Sequence, residues 1–361
     1  MKKLISLVVL VAIVASFLVL RSKQEDGITP SPVAQGSTLT ESSASTTQPG
    51  LQKTAPSDSN SEPGDAPLAG ELQTDQTQTV EEVRSATEAY ASAEEALAAV
   101  LNGSKDYNDS ILEQFTLPGA ECSWCADFYT SVREKATNPA TSQEQRAYLA
   151  EILAISGRPE NIETLVESIK MARTNEEADI YAEAIELALG DVEITKYIAN
   201  QMVSPNDTLR EASVAAITNQ GTLTAVELLS KHVEERGDPD GYYASGIGPA
   251  ELIPDEEALP YVQELIERRD AYSHLWVKSA MNAGIPGLRM VFDELENSPN
   301  PATDGALLKD AIDHINLEDG LMELTSQVIA RNKSEEAVKL AKKIQEEFNQ
   351  QENEGAQSIA Q

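Results

Sequence analysis

The chain has 361 residues, 41% hydrophobic and 5% aromatic, with 60 acidic against 27 basic side chains and a net charge of −33. That length is enough for one elongated domain plus extra segments. A surface so negative repels phosphate backbones and anionic headgroups, which argues against nucleic-acid binding, and few aromatics beside abundant Ala and Leu fit helices packed through small side chains.

The chain begins Met1-Lys2-Lys3 and then runs apolar from Leu4 to Leu20, interrupted only by Ser6 and Ser16. As a helix this stretch spans about 26 Å, the short end of what a bilayer requires. Cleavage after Val14-Ala15-Ser16 would leave Phe17-Leu18-Val19-Leu20 at a mature terminus, so residues 1–23 are expected to stay as an uncleaved transmembrane anchor. Secretion to the periplasm after signal cleavage is the alternative. No cysteine follows the run, which excludes a lipoprotein. The flanking Lys and Arg residues lean toward a cytoplasmic N-terminus, with the remainder of the chain in a bacterial periplasm.

Residues 24–79 are rich in Ser, Thr, Gln, Pro and Gly and almost lack large apolar side chains. Such a segment cannot bury enough surface to offset its ordering entropy and is expected to be a disordered linker, with a root-mean-square reach of about 40 Å. It carries a net −7, so most of the acidity, −30, belongs to residues 80–361. The plain reading of that charge is a solvated face; the sharper one is a basic partner.

Residues 80–140 read as a helical N-terminal cap. A helix is expected over Val80 to Leu101, with Ser92-Ala-Glu-Glu-Ala as a start signal, and another from about Glu121 that carries Cys122-Ser-Trp-Cys125. From 141 to 349 one pattern recurs. Gly157, Gly190, Gly221 and Gly284 sit at helix-to-helix junctions 33, 31 and 63 residues apart, and the period places hidden junctions near Ile253 and Asn316. Nine residues before each junction stand Tyr148, Tyr181, Ala212, Leu275 and Leu307, and apolar residues return eight or nine places after it. A junction glycine suits a left-handed exit from the first helix. Helix starts recur at Asn175, Asp255 and Ser334, each followed by Glu-Glu-Ala, and loops at Asn138-Pro139, Ser204-Pro205-Asn206 and Ser298-Pro299-Asn300. Helix pairs of this kind cannot bury their own apolar faces and stack on their neighbours. Gly237 to Pro249, with four glycines and two prolines, interrupts the fourth pair and is expected to form a long loop that presents Tyr242 and Tyr243 as aromatic binding anchors. Residues 350–361 read as a polar tail.

The two cysteines, Cys122 and Cys125, are spaced CxxC. A helix start lowers a thiol pKa, which would allow disulfide exchange, but no strand precedes the motif and no βαβ pattern follows. A structural disulfide in an oxidising compartment is the expected role, and thiol-disulfide oxidoreduction the alternative. Position 126 is Ala, so haem attachment fails; His232, His274 and His314 offer no paired spacing for zinc. Asp238-x-Asp240-Gly241 lacks the remaining ligands of a calcium loop. No catalytic residue, metal or cofactor is expected.

The Gly-junction units of 31 to 33 residues resemble short HEAT-like repeats of the PBS-lyase type. They lack the tetratricopeptide and ankyrin signatures. The resemblance implies an all-α fold: an α-solenoid of roughly six stacked helix pairs with an N-terminal helical cap, whose extended surface binds another protein, basic or membrane-associated. The chain therefore reads as a membrane-tethered scaffold or adaptor that touches the membrane only through its N-terminal helix.

Overall fold

The computed structural model describes residues 85–359, except 117–121, 240, 242–246, 309 and 316–319. The expected anchor and linker, the start of the cap, the Asn316 junction, and Tyr242 and Tyr243 lie outside the described residues. No helix among them is long and apolar enough to cross a membrane. They are all-helical. The α-helices are α1 Ala86–Ala89, α2 Ala93–Gly103, α3 Asp109–Glu113, α4 Cys125–Ala136, α5 Gln143–Ile155, α6 Pro159–Met171, α7 Asn175–Glu186, α8 Val192–Ala199, α9 Asp207–Gln220 and α10 Leu223–Arg236. They continue as α11 Leu259–Glu267, α12 Ser273–Asn282, α13 Gly284–Glu296, α14 Asp304–Leu307, α15 Leu321–Arg331 and α16 Glu335–Ile359. One hydrophobic cluster runs through them from Ala86 to Ile344.

Local sequence explains the helix starts. Ser92, Ser142, Thr174, Asp191, Asn206 and Thr222 each accept a backbone N–H of the first turn, satisfying donors with no partner inside the helix. Three expectations need correction here. Tyr90 to Ser92 breaks the helix expected from Val80, so α1 and α2 are separate. Asp255 is not the N-cap of α11, which begins at Leu259 with Ala258 in the N-cap position and Pro260 in its first turn. At the first expected start the cap is Thr174, one residue before Asn175, and at the last start Ser334 does accept from Ala337 N.

Helix α5 packs on α4 and α7, and α7 on α9, while α6 packs on α5 and α7 and α8 on α9 and α10. The first helix of each pair is covered on several sides. In α9 every residue from Ala212 to Thr218 is buried, which requires Ala and Ser where neighbours approach. The second helices bury a single stripe, such as Ile162, Leu165, Val166 and Ile169 in α6.

Of the four junction glycines, Gly157, Gly221 and Gly284 do adopt positive φ, between 62° and 68°. Gly190 does not. Helix α7 ends instead in a tight turn in which Leu187 and Ala188 donate to Ala184 and Ile185 carbonyls. Glycine is needed there for space, since a Cβ would lie 2.5 Å from the Ile194 Cγ2.

Several hydrogen bonds join residues 30 to 33 apart in sequence. Asn219 Nδ2 donates to the Glu186 carbonyl (separation 33), Gln220 Nε2 to the Ala188 carbonyl (32) and Asn282 Nδ2 to the Ala250 carbonyl (32). Gly248 N donates to Thr218 Oγ1 (30). The buried tyrosines nine residues before two junctions behave alike: Tyr148 donates to the Asn108 carbonyl at 2.9 Å and Tyr181 to the Ala136 carbonyl at 3.0 Å.

The pattern degrades toward the C-terminus. Gly248 to Asp255 is irregular and crosses the Gly221 turn, where Asp255 N donates to the Gly221 carbonyl. Within Gly237 to Pro249, Pro239 and Gly241 lie in a helical turn, with Gly241 N donating to Asp238 Oδ1 at 3.0 Å, where the sequence reading placed only loop. Short α14 and the 3-10 turn Ala311–His314 stand where a full first helix is expected. The expected polar tail is helical, because α16 continues to Ile359.

Candidate functional site

Cys122 and Cys125 are disulfide-bonded, with Sγ atoms 2.00 Å and Cα atoms 5.1 Å apart. The motif is not inside a helix as the sequence reading has it: Cys122 to Trp124 form the turn before α4, and only Cys125 is helical. Cys125 N donates to the Cys122 carbonyl at 3.2 Å. Trp124 takes the N-cap position without a side-chain capping bond, so the ring closed by the cysteines holds this helix start in place of a cap. Cys122 is half-buried and Cys125 is 6% exposed. A bridge closing so few residues restricts the unfolded chain little, contributing about 2 kcal/mol on the loop-entropy relation.

Aromatic rings surround the bridge. Trp124 meets Phe128 edge-on at 5.9 Å, Phe128 stacks on Phe115 at 4.9 Å, and Phe115 stacks on Tyr90 at 6.1 Å. Tyr90 donates to Gln114 Oε1 at 2.6 Å, and Ala86 N donates to the Gln114 carbonyl. A shallow pocket lies among these groups, lined by Thr87, Gln114, Phe115, Trp124, Cys125 and Phe128. Burial pushes the Tyr129 hydroxyl up to about 12, against the Arg158 guanidinium 4.9 Å above its ring.

A second feature, missed in the sequence, is a row of carboxylates on the first helices. Burial raises Glu151 on α5 to about 7; Asp109 and Glu183 add repulsion, while the hydrogen bond from the Tyr107 hydroxyl opposes the rise. Glu186 on α7 is also raised to about 7 by burial and then by Glu183. Glu151 and Glu183 stand one repeat period apart, and that spacing was the available signal in a chain crowded with acids.

The histidines do not converge into a site. His232 lies buried on α10, with its pKa lowered by burial and then by Arg236, and His274 lies on α12. Among the described residues no group of three His, Cys, Asp or Glu side chains could hold a metal ion. Comparison with known proteins gives no family model, curated protein or solved structure that matches this chain.

Proposed function

We propose that this chain is a membrane-tethered α-solenoid of short HEAT-like repeats that scaffolds or recruits another protein on the periplasmic side of a bacterial inner membrane. The observation that carries the reading is the spacing of the tertiary bonds. Side chains and backbone groups reach partners 30 to 35 residues away from Arg146–Glu177 through Asn219–Glu186 and Asn282–Ala250 to Arg331–Glu296. A chain folded by stacking one unit on the next makes contacts at its own period, whereas a non-repetitive bundle has no reason to. The expected helix at Leu4 to Leu20 supplies the anchor and residues 24–79 the tether. The row of Glu151, Glu183 and Glu186 favours a basic partner surface, since opposite charge lowers the cost of bringing these carboxylates together.

Thiol-disulfide oxidoreduction by Cys122 and Cys125 is the second reading, favoured by their pairing at the start of α4. It is the weaker one, because Cys125 is only 6% exposed.

In-cell cross-linking followed by purification of the tagged full-length protein from membranes tests the scaffold reading. A single abundant cross-linked partner is expected. Recovery of no partner above background from normally growing cells would contradict it.

A further inference from the structure

We propose that the Cys122–Cys125 bridge is a redox-operated latch on the N-terminal cap, locking α1, α3 and α4 together when oxidised and releasing them when reduced. The inference concerns control of the fold and holds whether or not the chain acts as a scaffold.

The geometry separates the two sulfurs. Cys122 is half-buried in the turn, whereas Cys125 is almost enclosed. An incoming dithiol therefore reaches Cys122 first. Its thiolate attacks the Cys122 Sγ, the Sγ–Sγ bond breaks, and Cys125 leaves as a thiolate. Cys125 is the first residue of the twelve-residue α4, whose positive dipole end stabilises that leaving thiolate. The second thiol of the reductant then attacks its own sulfur in the mixed disulfide and releases Cys122. Two electrons and two protons pass to the pair, and the dithiol becomes a cyclic disulfide.

What the bridge holds makes its opening consequential. The turn carries Trp124, and with no side-chain cap on α4 the covalent ring reinforces the bonds from Cys125 N to the Cys122 carbonyl and from Phe128 N to the Trp124 carbonyl that join the turn to the helix. Trp124 braces Phe128, which is fully buried and stacks on Phe115 after α3. Phe115 stacks on Tyr90, at the end of α1, and Gln114 accepts from both Tyr90 and Ala86. One row of rings thus links the bridge to α1, the first of the described helices. The remainder of α4 is held independently, by Arg133 donating to Asn161 at 2.6 Å and by Tyr181 donating to the Ala136 carbonyl. Opening the bridge frees the cap and leaves the α4–α7 packing in place.

Hydrogen exchange of the full-length protein, read by mass spectrometry with and without millimolar dithiothreitol, tests this. Reduction is expected to speed exchange in α1, α3 and the first turn of α4 by about tenfold or more, with α9 and α10 unchanged. A Cys122→Ser, Cys125→Ser double variant is expected to exchange like the reduced protein and to ignore dithiothreitol. Three results would overturn the proposal: a bridge that stays oxidised in the native protein, reduction with no change in the cap, or equal acceleration throughout the chain.

Discussion

Gly221 and Gly237 both sit in the left-handed region, with φ of 62° and 73°, yet their surroundings differ. A Cβ at Gly221 would collide with the Ile253 carbonyl oxygen, while one at Gly237 would meet nothing within 4 Å. Gly237→Ala should therefore cost only the backbone term, about 1 kcal/mol. Gly221→Ala must also displace the segment that covers the turn and should cost well above that. Chemical denaturation of both variants checks the order, and equal losses would contradict it. The residue scale also sets a pH dependence. Glu151 and Glu186 are raised from 4.5 to about 7, so the folded chain holds protons that the unfolded chain releases. Stability from these groups is complete below about pH 4.5 and is lost as pH rises through 7, so the protein should melt higher at pH 5.5 than at pH 8. Glu151→Gln, which keeps an acceptor for Tyr107, should flatten this slope and raise the melting temperature at pH 8. An unchanged slope would show that the carboxyl is not desolvated as described.

Among the elements, the ion pair between the ends of α11 and α14 is the most exposed to loss. Asp304 is fully buried, accepts from Arg269 at 2.6 Å and from Ser298 at 2.8 Å, and spans one repeat. Arg269 itself stands at φ 50°, a conformation few non-glycine residues adopt. Removing one partner strands a buried charge, so Asp304→Ala should cost about 3–5 kcal/mol, and pairing it with Arg269→Met should recover part of that loss. A double-mutant cycle by denaturant unfolding measures the coupling; additive losses would refute it. This pair was illegible in the sequence because nothing marks which of 60 acids is buried. Helices from α5 to α10 were legible because apolar spacing agrees there with a polar cap or, in α6, with Pro159 at the first position. They stop being legible where a helix is replaced: Ile253 is 52% exposed in an irregular strap, and α14 with its 3-10 turn substitutes for a full helix. In both places tertiary packing decides, as it does for Lys278, fully buried in α12 at a position where apolar patterning calls for an aliphatic residue. At the candidate site the CxxC spacing was readable, but its place in a turn ahead of α4 was not, since Ser123 is the capping-type residue of the stretch and yet Trp124 takes the N-cap position.

At the scale of the whole molecule, charge and repetition point the same way. A net −33 repels anionic surfaces, while burial raises Glu151 and Glu186 to about 7 and leaves part of the charge on the first helices neutralised near that pH. Bonds made at separations of 30 to 35 residues in both halves of the folded part are the signature expected of units that stack on their neighbours. Small-angle scattering of the compact unit Val83–Gln361 tests the account most directly. A stacked array predicts an elongated distance distribution and a radius of gyration well above the roughly 19 Å of a compact chain of that length. A symmetric distribution with a radius near that value would contradict it.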